Sequence, residues 1–93
     1  MNVNSKLVGA LGSPQGAAYF VKEKMVKKGL SGNEAAKLVG VNQSTMSRFL
    51  KGGALTEEMA VKLNKAFQMD IQTLFNLEAQ KHTYNARRLV ETC

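Results

Sequence analysis

Gln43, Ser44, Ser47 and Arg48 fall within a span of six residues, and Lys51 follows three positions later. On a helix these five side chains share one side. A glutamine carboxamide can bond an adenine edge in bidentate fashion, an arginine guanidinium can do the same to guanine, and serine suits either. A lysine beside them suits a phosphate. Most polar helix faces are only solvated surface. Three separate signals favour the chemical reading here: these residue types, the turn that precedes them and the placement of charge along the chain.

The elements that must present these side chains are legible in residues 30–52, LSGNEAAKLVGVNQSTMSRFLKG. Ser31 can cap a helix, and Glu34 three residues on completes a Ser-x-x-Glu capping box. Ala35, Leu38 and Val39 supply that helix with an apolar face. Gly40 stands where it must stop, Val41 is an apolar plug and Asn42 can cap the next helix. That second helix turns Met46, Phe49 and Leu50 inward and leaves Gln43, Ser44, Ser47, Arg48 and Lys51 outward, with Gly52 closing it. Two short helices joined by a turn of about three or four residues form a helix-turn-helix unit. The outward residues suit entry of its second helix into a DNA major groove.

The net charge of +6 gains meaning when divided along the chain. Residues 1–53 carry eight basic side chains against two acidic ones; residues 54–93 carry five of each. The entire excess lies in the half that holds the helix pair, which points to a polyanion on that side. Ninety-three residues and an apolar fraction of 44% describe one globular domain with a limited core. One proline and few β-branched runs favour an all-α fold. Neither a membrane span nor a signal peptide is expected, which places the protein in the cytoplasm. Cys93 can form no internal disulfide, and neither it nor His82 has metal-ligand neighbours at usable spacing. No phosphate loop, carboxylate pair or nucleophile with a base is present, so no enzyme, metal or cofactor is expected.

Taken in order, residues 1–13 form a flexible N-terminal segment, whose Leu7-Val8-Ala10-Leu11 group can dock on the domain, pair as a strand or await a partner. The domain proper is expected over 14–84 and a tail over 85–93. Pro14 opens a helix from about 15 to 28, with Ala18, Val21 and Met25 inward and Gly29 at its end. Lys27 and Lys28 in its last turn read equally as phosphate contacts and as partners of the helix dipole. Leu55 plugs the core and Thr56 caps a fourth helix whose Met59, Ala60, Leu63, Ala66 and Phe67 recur at helical spacing. Asp70 caps a fifth, with Leu74, Phe75 and Leu77 as a candidate dimer seam.

Residues 29–67, together with Leu74-Phe75-Asn76-Leu77-Glu78, resemble the phage-repressor-type (XRE) helix-turn-helix domain. The narrower resemblance is to the HigA/VapI-like antitoxins of bacterial toxin–antitoxin modules. It rests on Gly40-Val41, on Thr45-Met46-Ser47-Arg48 and on Leu55-Thr56-Glu57-Glu58-Met59-Ala60 followed by Leu63. The resemblance covers roughly residues 16–80. It implies a five-helix, lambda-repressor-like domain that binds double-stranded DNA as a homodimer at an inverted repeat, and that represses its own operon while neutralising a ribonuclease toxin. Gln43, Ser44, Ser47 and Arg48 match the base-reading positions, and Ser31, Thr45 and Lys51 match positions that touch phosphate or cap a helix over it. A phage or plasmid repressor without a toxin, or a protein-interaction module that has lost DNA binding, are the alternatives. The chain departs from the pattern at Gly32, at Gly53, and at Leu74 and Glu78, where glutamine, a basic residue, and tryptophan with glutamine are common.

Overall fold

The structure, a computed structural model, describes residues 15–92. Pro14, Cys93 and the N-terminal segment expected over 1–13 lie outside the described residues. Five helices follow in order: α1 (Ala17–Lys28), α2 (Gly32–Val39), α3 (Gln43–Leu50), α4 (Glu57–Phe67) and α5 (Ile71–Thr92), with no strand among the described residues. This is the all-α, lambda-repressor-like arrangement that the sequence predicts.

Four of the five helix starts are set by the side chains expected to set them. Ser31 Oγ accepts the Glu34 N–H at 3.2 Å while Glu34 Oε1 accepts the Ser31 N–H at 2.8 Å, which completes the capping box. Asn42 Oδ1 accepts from Thr45 N at 2.8 Å, Thr56 Oγ1 from Met59 N at 3.0 Å and Asp70 Oδ2 from Thr73 N at 3.0 Å. The turn inside the helix pair depends on Gly40, whose φ of 89° an L side chain adopts only at a steric cost.

α1 starts differently. Its first residue is Ala17, two positions later than expected, and Gly16 before it supplies no side-chain cap. The orphan Ala17 N–H instead donates to Glu78 Oε1, on α5, at 2.9 Å. Glu78 is itself only 5% exposed.

The core gathers Val21, Met46, Leu63, Phe67 and Leu74 at its centre, each with almost no exposed surface. α3 lies against α1 and α2, α4 against α2 and α5, and α5 against α1. Met25, Met46 and Met59 fill core gaps, as their spacing predicts. Val41 and Leu55 pack on the core from the two loops beside α3.

Two expectations need correction. Leu38 is 51% exposed, while Ala36 takes its place inside. Ala35 and Ala36 are small enough to let α2 approach its neighbours closely, and that contact fixes the rotation of the helix. Leu74 is 0% exposed and belongs to the protomer's own core, which removes it from any face open to a second copy. Phe75 and Leu77 are half-buried. α5 runs on through Thr92, so residues 85–92 of the expected tail are helical.

Candidate nucleic-acid interface

α3 is held from below by Met46 and Phe49, at 1% and 3% exposure. With those two inward, helical geometry fixes the rest: Gln43, Ser44, Arg48 and Lys51 are exposed and Ser47 is half-buried. The four candidate base readers therefore stand on one open side of a short helix whose inner side is locked in the core. Ser44 Oγ donates to Asn42 Oδ1 at 3.0 Å, which ties its hydroxyl to the cap. Thr45 is half-buried and its backbone N–H is taken by the same cap. Ser31 likewise serves as cap first, its Oγ accepting from Glu34.

A groove runs along each flank of α3. One is bordered by Gln43, Ser47 and Leu50 of α3 and Lys51 just after it, by Gly32 at the start of α2 and by Lys22 of α1. The other is bordered by Thr45 and Arg48 of α3, by Gly53 and Ala54 in the following loop and by Thr56 at the cap of α4. The first flank carries two lysines over an apolar floor; the second carries the single guanidinium of Arg48 with the hydroxyls of Thr45 and Thr56, over an apolar lining that includes Phe49 and Met59. Lys27 and Lys28 are exposed in the last turn of α1 and border neither groove.

The glycines at these flanks have opposite reasons. A Cβ built on Gly53 would lie 2.7 Å from the Arg48 carbonyl oxygen, which the Gly53 N–H bonds at 2.9 Å. The chain leaves α3 too tightly for any side chain there, basic or otherwise. Gly32 is different: nothing lies within 4 Å of a Cβ at that position.

Lys62 is a residue whose role no local signal betrays. Its Nζ donates to the Gly40 carbonyl at 3.1 Å and lies 3.2 Å from Glu58 Oε2. A cation on the last carbonyls of α2 suits the helix dipole, and it ties α4 to the turn between α2 and α3. Glu34, exposed in the first turn of α2, is held below the ordinary glutamate range, chiefly by the Ser31 backbone N–H and then by the Ser31 hydroxyl, with Lys37 adding a smaller Coulombic pull. Among the described residues no group of His, Cys, Asp and Glu is placed to hold a metal ion, and no helix is long and apolar enough to cross a membrane.

A helix-turn-helix family model matches residues 21–74, from within α1 to the first turn of α5. The chain belongs to the phage-repressor-type helix-turn-helix family. This is a family of DNA-binding regulatory domains, not of enzymes. No curated protein and no solved structure gives a significant match. Within the family's region fall α2, the turn at Gly40, and α3 with both its flanking grooves. The family thus covers every candidate base reader and, of the candidate phosphate residues, Ser31, Thr45, Lys51, Lys27 and Lys28 alike.

Proposed function

We propose that this helix-turn-helix protein is a dimeric, sequence-specific transcriptional repressor acting in the cytoplasm. The observation that carries this reading is the open side of α3: Gln43, Ser44, Ser47 and Arg48 presented together on a helix that Met46 and Phe49 fix in the core. Each α3 enters a major groove, and two copies read an inverted repeat with half-sites about 34 Å apart, one turn of the duplex. Arg48 and Gln43 read guanine and adenine, and the two serines adapt to either. Ser31, Thr45 and Lys51 hold phosphates, while Lys27 and Lys28 add to the field that draws the duplex in. The dimer seam runs along α5 through Phe75 and Leu77, without Leu74.

Selection of sites from a random duplex pool at near-physiological salt tests the reading. Recovery of a short inverted repeat is the expected result. Failure to enrich any sequence, with only salt-labile binding to all DNA, would remove the sequence-reading role.

A narrower reading, a HigA-like antitoxin that represses its own operon, draws support from the second half of α5. Val90 there is 77% exposed, an apolar side chain far from the base readers in sequence that suits a protein partner such as a ribonuclease toxin. Purification of the tagged protein from its native host should bring down a small basic ribonuclease. Its absence would leave a phage- or plasmid-type repressor that works alone.

A further inference from the structure

The residues that face α3 across its cationic flank include one that sequence spacing does not single out. Lys22 lies on α1, twenty-one residues before Gln43 in the chain, yet it borders the same groove as Gln43, Ser47 and Lys51. We propose that Lys22 is a DNA-backbone contact, and that Lys22 and Lys51 together hold the strand running along this flank of the recognition helix. This rests on the DNA-binding reading above and adds to it a residue and a division between the two strands.

The position of Gly32 supports the assignment. It borders the groove without a side chain, and nothing lies within 4 Å of where its Cβ would be. The space between α1 and the recognition helix is therefore open, and Lys22 and Lys51 are the cations that border it. Leu50 and Met46 form an apolar floor, so neither lysine finds an acidic partner within the groove. A phosphate supplies the missing anion. The opposite flank carries one cation, Arg48, which the reading above places on a base edge, beside Thr45 and Thr56 and an apolar lining. Two lysines border the Lys22 flank and a single arginine assigned to a base borders the other, so the salt dependence arises mainly on the Lys22 side.

The lysines of α1 allow a clean test, because Lys27 carries the same charge on the same helix about 140° around its axis from Lys22. Affinity for a random-sequence duplex is measured between 50 and 200 mM salt for the wild-type chain and for Lys22→Ala, Lys22→Arg and Lys27→Ala. One lost phosphate contact lowers the salt slope by about 0.9. Over that range Lys22→Ala should thus lose three- to fourfold less affinity than wild type, with Lys22→Arg restoring the slope and Lys27→Ala changing it less. Equal slopes for Lys22→Ala and Lys27→Ala would overturn the contact, since Lys22 would then act only through net charge. A wild-type slope retained in Lys22→Ala would overturn it as well. Wild-type protein that binds no duplex at low salt would instead overturn the DNA-binding reading itself, and this contact with it.

Discussion

Glu78 on α5 caps the start of α1: its Oε1 accepts the Ala17 N–H at 2.9 Å across 61 residues of chain. The other carboxylate oxygen has no hydrogen-bond partner but lies 3.6 Å from Lys81 Nζ, an ion pair too long for a hydrogen bond. A buried carboxylate is costly to desolvate, and here the positive end of a helix and a neighbouring lysine offset that cost. The contact is so close that a Cβ on Gly16 would collide with Glu78 Oε1, at a residue whose φ of 80° already disfavours a side chain. α5 is thereby locked to α1, the helix that brings Lys22 to the groove along α3.

Glu78→Ala should therefore destabilise the fold by about 1–3 kcal/mol, the cost of leaving a buried N–H without its acceptor. Glu78→Gln keeps an acceptor and should recover part of the loss. Gly16→Ala should destabilise comparably, from the other side of the same contact. Urea unfolding followed by circular dichroism reads all three. Wild-type stability in Glu78→Ala would mean that the cap contributes nothing.

Gly32 and Gly53 should respond in opposite ways. Gly32→Gln meets no steric obstacle in an ordinary helical backbone, and it should stabilise by about 0.4–1 kcal/mol through the unfolded chain's lost freedom. It should also strengthen DNA binding if its carboxamide reaches the backbone. Gly53→Lys adds a charge but forces a side chain against the Arg48 carbonyl, so it should destabilise and weaken binding despite that charge. Tighter binding by Gly53→Lys would show that the loop yields more easily than its geometry implies.

How legible the fold was in the sequence follows from the range of each interaction. Ser31, Glu34, Asn42, Thr56 and Asp70 were readable because a cap and its target lie three residues apart. The open face of α3 was readable because Met46 and Phe49 alternate with Gln43, Ser47 and Arg48 at helical period. Leu38 misled because its apolarity fits an inward position, whereas the helix is rotated by the small Ala35 and Ala36 that let it pack closely. Leu74 misled for a related reason: an apolar residue on a last helix is counted toward a dimer until the core is seen to need it. Glu78, Lys62 and Lys22 act across 61, 22 or more than twenty residues, and no local pattern announces such partners.

The capping box predicts an acid-sensitive step. Glu34 is held below its ordinary pKa of 4.5 in the folded chain by the Ser31 N–H and hydroxyl. A carboxylate with a depressed folded pKa stabilises in full above its unfolded pKa, and that stabilisation fades as pH falls through the folded value. Stability should thus decline below pH 4.5, over a window ending at the lower folded pKa. In Glu34→Gln, which cannot titrate, this component should vanish, so the stability difference from wild type narrows on acidification. A difference that stays constant from neutral to acid pH would show that the box acts without its charge.

The sharpest division on the proposed interface is between Arg48 and Lys51, both exposed on a helix anchored by other residues. Because neither contributes to the core, Arg48→Ala and Lys51→Ala should melt close to wild type, and their effects on DNA should be effects on recognition. On the proposed reading Arg48 meets a base edge, so Arg48→Ala should cost about 1–3 kcal/mol on the selected repeat and relax the preference at one base pair of each half-site. On the same reading Lys51 meets a phosphate, so Lys51→Ala should weaken selected and random duplexes by the same factor and lower the salt slope by about one contact. Competition titrations against single-base variants of the repeat, repeated at several salt concentrations, separate the two. Should both variants lose selected and random DNA equally, neither side chain reads sequence, and Gln43 with Ser47 on the Lys22 flank would have to carry the specificity.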